Sequence, residues 1–518
     1  MLIYTHILPI AALALALCMC AIKFMHYFQL NSYKLAEHLP FASRNMSLYA
    51  LSAIYLVLAT PAVLLPEIVA PGYITFISLL YALSFKPASR LITKKPLVYT
   101  PRVIRMLITE AIIAMAAGAI VLILVPYRYL PIAVAAAFLL CPWICIVANI
   151  INAPIEKAVR DHYTREAKSM LRSHPSLKTV AITGSYGKTG TKYYLTTILS
   201  EKYNVLMTPG SFNTPMGVVK TVREGLKATT EVFVCEMGAK YVGDIDELCA
   251  IASPDIGILT SIAPQHLETF GSIENIAKTK LELCRYLEKK GNVTIVNLDS
   301  PLIKENLPTG AISCGVDQNA DFRIEGVRAD RNGTSFTLTL AGGASIDLTA
   351  PLIGAHNVTN VALASVAALR LGLTPDEIRR GAARIRSAPH RLELIHRGKD
   401  IIIDDAYNSN PKGAAAALDA LSLFSEFKIL ITPGMVELGD KSEHYNYLFG
   451  KNAADVCDSI ILVGEKQTAP IRKGILEAGF DEKKLHVCER VGDAIRLADT
   501  LTDQPKVILL ENDLPDNY

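Results

Sequence analysis

The chain has 518 residues, with 52 Lys and Arg against 49 Asp and Glu and a formal net charge of +3. So small a charge, without a long basic tract, excludes a nucleic-acid partner held by a basic surface. The ten cysteines are scattered without metal-ligand spacing, which excludes a zinc site and a disulfide scaffold and fits reduced thiols. Length predicts about three domains, and a mean hydropathy of +0.30, concentrated before residue 152, predicts that one of them is strongly apolar.

Five apolar stretches come first, at about 5–24, 47–66, 68–85, 108–126 and 130–151. Each is near the ~20 residues that cross a bilayer. The first lacks a basic N-terminal region and is followed by Lys23, so it does not read as a cleavable signal. Residues 86–105 carry Lys86, Arg90, Lys94, Lys95, Arg102 and Arg105 with no acid. Placing this basic loop inside predicts a multi-pass plasma-membrane protein with everything after residue 152 in the cytoplasm. Acids are nearly absent here: Glu110 is near the start of its stretch and Glu67 falls between two of them. That argues against a solute pathway and leaves an anchor, with the lipid bilayer as a partner.

Residues 153–178 read as a polar, partly helical linker. From 179 onward, short β-rich runs alternate with helical patterns, which predicts parallel α/β sheets. The runs are 179–183, 232–235, 256–262 and 293–296, then a β-rich patch over 322–348. A second series follows at 401–403, 428–432, 460–463 and 506–510, after the breaks at Pro375 and Pro389. The predicted organisation is a helical membrane region (1–152), the linker and two α/β domains, 179–387 and 388–518.

The first run ends in Thr-Gly-Ser-Tyr-Gly-Lys-Thr-Gly190. A turn containing Gly184, Ser185, Gly187, Lys188, Thr189 and Gly190 at the start of a helix can cradle a polyphosphate. The lysine then reaches the terminal phosphates and the threonine hydroxyl binds Mg²⁺. The spacing is two residues shorter than the general P-loop, so a glycine-rich loop with a surface lysine fits it as well. Glu236 ends the second run and His266 follows the third. Singly these read as a solvated glutamate and a structural histidine. Together with Lys188 and Thr189 they fall at the carboxyl edge of one sheet, where ligands bind, and point to metal and phosphate chemistry.

Lys280 falls in the apolar stripe formed by Ile273, Ile276, Leu283, Cys284 and Leu287. Two readings of it stand side by side. One is a lysine snorkelling from the edge of the stripe. The other is a buried, neutral amine that takes up CO₂ as a carbamate and offers Mg²⁺ an anionic oxygen.

The ordered motifs Gly-Ser-Tyr-Gly-Lys-Thr189, Phe-Asn-Thr-Pro-Met-Gly217, Glu-Met-Gly-Ala239, Pro-Gln-His-Leu-Glu268, Ala-Lys-Thr-Lys-Leu-Glu282, Gly-Ala-His-Asn-Val-Thr-Asn360, Pro-His-Arg-Leu-Glu393, Asp-Asp-Ala-Tyr-Asn-Ser-Asn-Pro411 and Glu-Leu-Gly-Asp440 resemble those of the Mur ligases. These are ATP-dependent amide-forming enzymes of peptidoglycan synthesis. The branch resembled is the one that adds D-alanyl-D-alanine to a muramoyl tripeptide.

The resemblance covers about residues 179–500 and implies a central P-loop ATPase domain (179–387) followed by a Rossmann-like domain (388–518), with ATP and Mg²⁺ as cofactors. It implies that Lys188, Thr189 and Glu236 hold the phosphates and a first Mg²⁺, and that His266 and a carbamylated Lys280 serve a second. Asn357 and Asn360 would approach the adenine, and Arg391 and Asp405 the phosphates and ribose. Asn213, Tyr407 and Asn408 would line the acyl-substrate cleft. The implied reaction passes through an acyl phosphate that an amine, an amino acid or dipeptide, then captures.

Membrane segments stand where the family carries its UDP-binding domain, so a UDP-linked and a lipid-linked muramoyl peptide are both admissible acyl substrates. A poly-γ-glutamate or capsule ligase, and a non-catalytic ATP-binding scaffold of the cell wall, are the competing readings.

Overall fold

In the computed structural model of the chain the described residues are 8–31, 33–35, 38, 47–66, 68–84, 96–125, 129–264, 267–340, 342–407, 410–436, 438 and 441–512. The chain divides into two compact units at Asp161/His162.

The first unit is helical. Its helices are Leu8–Leu30, Ser47–Ala59, Ala70–Ser84, Pro101–Leu124 and the part before His162 of the 43-residue Leu130–Arg172. Phe24, Phe28, Tyr81 and Met106 pack in its core. Buried hydroxyls are paired, Ser52 with Tyr81 at 2.6 Å and Tyr55 with Ser78 at 2.8 Å.

The prediction of five membrane spans does not hold. Among the described residues only Leu8–Leu30 and Pro101–Val121 are long and apolar enough to cross a bilayer. The stretch at 47–66 yields a 13-residue helix that breaks into a 3-10 turn at Thr60–Val63, and 68–85 yields one of 15 residues. At 1.5 Å per residue both fall well short of a ~30 Å hydrocarbon core. The fifth stretch is the start of a longer helix that runs on through Lys157, Arg160 and Arg165. Lys86, Arg90, Lys94 and Lys95, which set the predicted orientation, lie outside the described residues.

The second unit holds two sheets. The larger is built from β1 (Lys178–Thr183), β2 (Val205–Met207), β3 (Val232–Glu236), β4 (Ile256–Leu259), β5 (Val293–Asn297), β6 (Ile312–Gly315), β7 (Phe322–Asp330), β8 (Gly333–Thr339) and β9 (Ser345–Ala350). Their order is β2-β3-β1-β4-β5-β6-β7-β8-β9. β1, β3 and β4 are parallel and buried almost throughout, as continuous apolar runs require. β8 and β9 are antiparallel; β8 alternates buried with half-buried residues and β9 buried with exposed ones, the pattern of strands with one wetter face. The helix Lys188–Leu199 follows β1 and packs against His356–Arg370, whose residues from Val361 to Ala368 are all buried.

The strand order reverses at β1, which lies between β3 and β4. That reversal opens a crevice at the carboxyl ends of these three strands. The register sets Ile182 opposite Glu236 and Thr183 opposite Leu259, so the residues leaving all three strands meet there.

The smaller sheet contains β10 (Glu393–Arg397), β11 (Asp400–Asp405), β12 (Phe427–Thr432), β13 (Ser459–Val463), β14 (Leu485–Cys488) and β15 (Lys506–Glu511). Its order is β10-β11-β15-β12-β13-β14, parallel except for β10.

Candidate active site

The apolar run of β1 stops at Gly184, and the backbone turns through Gly187 into the helix Lys188–Leu199. Gly187 has φ +84°, and a Cβ there would come within 2.6 Å of Asn360 Oδ1. A Cβ on Gly184 would lie 2.1 Å from Thr260 Oγ1. Both positions exclude a side chain, which lets the turn lie directly on the loop after β4 and on the helix His356–Arg370.

That loop fastens the turn. The Ser185 N–H donates to Ser261 O at 2.8 Å, the Ser185 hydroxyl to Ala263 O at 2.8 Å, and the Tyr186 N–H to the Ser261 hydroxyl at 2.8 Å. Lys188 folds over the turn, donating to Gly184 O at 2.6 Å and Ser185 O at 2.9 Å. Burial lowers its pKa to about 8, with Glu236 opposing the shift and the Arg391 charge adding to it. Gly190 and Thr189 occupy the first turn of the helix, whose free N–H groups and positive dipole end favour an anion.

Glu236, at the end of β3, is the hub of the site and is 1% exposed. Its Oε1 accepts from the Thr189 hydroxyl at 3.3 Å and from Asn213 Nδ2 at 3.1 Å. Its Oε2 lies 2.9 Å from Lys192 Nζ, and Lys192 also donates to Gly210 O. The Glu236 N–H donates to the Thr208 hydroxyl at 3.1 Å. Burial alone would raise the carboxyl pKa, but the charges of Lys192 and Lys188 and the hydrogen bonds from Lys192 and Asn213 outweigh it and hold the group below the ordinary range. The result is a buried carboxylate that stays ionised, the donor type Mg²⁺ takes, beside a helix N-terminus suited to phosphate.

Lys280 ends the helix Ile273–Lys280 and is 3% exposed. Among the described residues it has no hydrogen-bond or ion-pair partner. Burial lowers its pKa to about 7. The Lys188 charge adds to that shift, and Asp244 and Glu282 oppose it. Glu282 itself is occupied, accepting from the Gly243 and Asp246 N–H groups at 2.8 and 3.1 Å and so capping the helix Asp244–Ala252.

Asn360 Oδ1 accepts from the Thr191 hydroxyl at 3.3 Å, directly beneath Gly187. One turn earlier, Asn357 accepts from the Tyr194 hydroxyl at 2.9 Å and donates to Ile353 O at 2.9 Å.

From the smaller sheet, the Arg391 guanidinium lies 4.5 Å from the Tyr407 ring centroid. Asp405, at the end of β11, accepts from the Leu392 N–H at 3.2 Å. Burial raises its pKa to about 6 against the Arg391 charge. Among the described residues no recorded contact joins Tyr407 to Asn213. His266 and Asn408 lie outside the described residues.

Sequence reasoning passes over Lys192. It precedes Leu195 and Leu199 by three and seven residues, on the buried face of its helix. The periodicity that singles out Lys280 singles out Lys192 too. Thr260 and Ser261 read as the end of a strand, whereas β4 stops at Leu259 and both hydroxyls contact Tyr186 O.

Residues 182–368 match the model of the Mur ligase middle domain, and 390–511 that of the Mur ligase, glutamate ligase domain. The UDP-N-acetylmuramoyl-tripeptide–D-alanyl-D-alanine ligase of Bacillus subtilis is 31% identical over 317 residues, 60% of this chain and 68% of that protein. The chain belongs to the Mur ligase family. It is therefore an ATP-dependent ligase, which sets aside the scaffold reading.

Among solved structures, MurF of Acinetobacter baumannii matches with a TM-score of 0.62 and 27% identity over 68% of this chain and 78% of that one. The MurF ligase of Thermotoga maritima in complex with ADP matches with a TM-score of 0.60 and 25% identity, over 68% and 80%.

The Bacillus relative is named for a substrate carried on UDP, a water-soluble carrier. With only two described helices long and apolar enough to span, the predicted multi-pass plasma-membrane location does not hold, and the bilayer as partner is left without support.

Proposed function

We propose that this ligase joins D-alanyl-D-alanine to the free carboxylate of a UDP-linked muramoyl tripeptide during peptidoglycan precursor synthesis. Residues 179–387 form the ATP-binding domain in this reading, and 388–518 the ligase domain that carries Arg391 and Asp405. The observation that carries it is the Glu236 carboxylate, which joins Thr189 of the phosphate helix and Asn213 of the neighbouring loop in one buried hydrogen-bonded set.

In the first step a carboxylate oxygen of the tripeptide attacks the γ-phosphorus of ATP and the bond to the ADP oxygen breaks, leaving an acyl phosphate. Two anions must approach. Lys188 and the N-terminus of its helix offset that repulsion, and Arg391 adds positive charge from the ligase domain. Gly184, Ser185, Gly187 and Gly190 shape the phosphate turn. Asn357 and Asn360 face the adenine side, and Asp405 the ribose. Asn213 orients the acyl carboxylate, with Tyr407 lining the cleft. In the second step the dipeptide amine attacks the acyl carbon, loses a proton, and inorganic phosphate leaves.

Thr189 and Glu236 would hold one Mg²⁺, and His266 and Lys280 a second, supplying Lewis-acid neutralisation of the phosphate charge. For Lys280 we propose the carbamate. Its amine, with a pKa of about 7, is largely neutral near pH 8 and can add CO₂ with loss of one proton, placing an anionic oxygen where an ammonium would repel the cation.

The test is ADP formation by the purified chain from ATP, UDP-N-acetylmuramoyl-tripeptide and D-alanyl-D-alanine. Turnover requiring all three, with the pentapeptide product seen by mass, is expected. ADP release no faster than with ATP alone would contradict the proposal.

A further inference from the structure

A lysine with no exposed side-chain surface is rare, because an ammonium removed from water is unfavourable unless its charge is met. Lys192 is such a residue: its side chain is 0% exposed and Glu236, its counter-charge, is 1% exposed. Lys192 stands one helical turn beyond Lys188, on the same helix. Its ammonium makes two contacts that belong to different parts of the site. One is to Glu236 Oε2 at 2.9 Å, and the other is donated to the carbonyl of Gly210.

Gly210 has φ +49° and leads into Ser211, Phe212 and Asn213. This short loop is anchored beyond Lys192 by Asn213, whose carbonyl accepts from the Gly238 N–H at 2.8 Å and whose amide donates to Glu236 Oε1 at 3.1 Å. A Cβ on Gly238 would lie 2.7 Å from the Asn213 side chain, so the loop is seated on the end of β3 without slack. The two carboxylate oxygens are thus divided. Oε2 faces Lys192 and the Gly210 end of the loop, and Oε1 faces Thr189 and the Asn213 end.

From this division we infer that Lys192 is a positioning residue of the ligase: its ammonium locks the 209–213 loop to the phosphate helix through Glu236. The lock holds Asn213 at the acyl site while leaving Oε1 on the side of Thr189. Lys192 acts through Glu236 and the loop and does not touch the phosphates. The inference rests on the proposed function only in taking Asn213 to serve the acyl substrate.

The test replaces Lys192 by Met, close in length and uncharged, and follows amide hydrogen exchange in the metal-free protein without substrates. Faster exchange confined to peptides covering 208–213 is expected, with those covering β1 and β5 unchanged. ADP affinity measured by calorimetry in EDTA should stay within about threefold, since no phosphate contact is removed. In turnover, KM for the UDP-linked tripeptide should rise about tenfold or more while KM for ATP moves by less than about threefold.

Unchanged exchange at 208–213, or an equal rise in both KM values, would overturn the inference. If Lys192→Met does not fold, the neutral pair Lys192→Met with Glu236→Gln removes the unmatched buried charge, and the same exchange contrast decides. If the wild-type chain turns over none of these substrates, the proposed function fails, and the exchange measurement still judges the lock.

Discussion

At the carboxyl end of the larger sheet the charged groups are held by one another. Lys192 faces Glu236 at 2.9 Å, Thr189 and Asn213 share the other oxygen, and Lys188 is tied to two carbonyls of its own turn. At the carboxyl end of the smaller sheet the backbone does the holding. Arg391 sits between His390 at φ +58° and Leu392 at φ +47°, two left-handed positions that non-glycine residues rarely take. Each such position costs about 1–3 kcal/mol and persists only where the surroundings impose it. Asp404 accepts from His390 Nδ1 at 2.8 Å, Glu393 from the His390 N–H at 3.1 Å, and Asp405 from the Leu392 N–H at 3.2 Å. The contrast teaches that the phosphate turn is organised by matched buried charge, whereas the arginine is aimed by strain that three carboxylates support.

The two arrangements respond differently to substitution. The largest effect is expected at Lys188→Ala, which removes the one ammonium folded over the phosphate turn. ADP release should fall about 10³-fold, with circular dichroism unchanged; turnover near wild type would remove the phosphate role of the turn.

Next is Lys280→Ala. Activity should fall about 10²-fold, the scale of losing one preorganised charged group at a phosphoryl-transfer site. A short carboxylic acid such as formate should partly restore it by standing in for the carbamate. Wild-type rates in the variant would discredit the carbamate.

The smallest effect separates strain from charge at the smaller sheet. Asp405 has its folded pKa raised to about 6 by burial, above the ordinary value near 3.9. Its ionisation therefore opposes folding, by an amount absent below about pH 4, growing as pH rises towards 6 and complete above it. Asp405→Asn removes that term. The melting temperature of the variant relative to wild type should climb by a few degrees between about pH 4 and pH 7. A difference independent of pH would show that the carboxylate is not carrying charge in a buried place.

Much of the parallel core was legible because buried strands read as apolar runs: 179–183, 232–235 and 293–296 each fall within an observed strand. The short edge strands β2 and β14 carried too few apolar residues to stand out, and β6 was hidden between turns. The patch at 322–348 announced β structure but not its division into three antiparallel strands. At the site, Lys188 and Thr189 announce themselves through glycine spacing. Lys192 has no motif, only its place on an apolar face, and it becomes meaningful once β3 brings Glu236 beside it. The strain at Leu392 has no sequence signature, because leucine does not ask for a left-handed backbone, and a histidine such as His390, though enriched there, is seldom left-handed.

The proposed chemistry makes the tripeptide carboxylate a nucleophile towards phosphorus, and oxygen labelling tests that most directly. With ¹⁸O in that carboxylate, turnover should deliver one labelled oxygen into the released inorganic phosphate for each peptide bond formed. Phosphate free of label, with peptide still produced, would contradict the acyl-phosphate route and, with it, the roles of Lys188 and Glu236 in forming that intermediate.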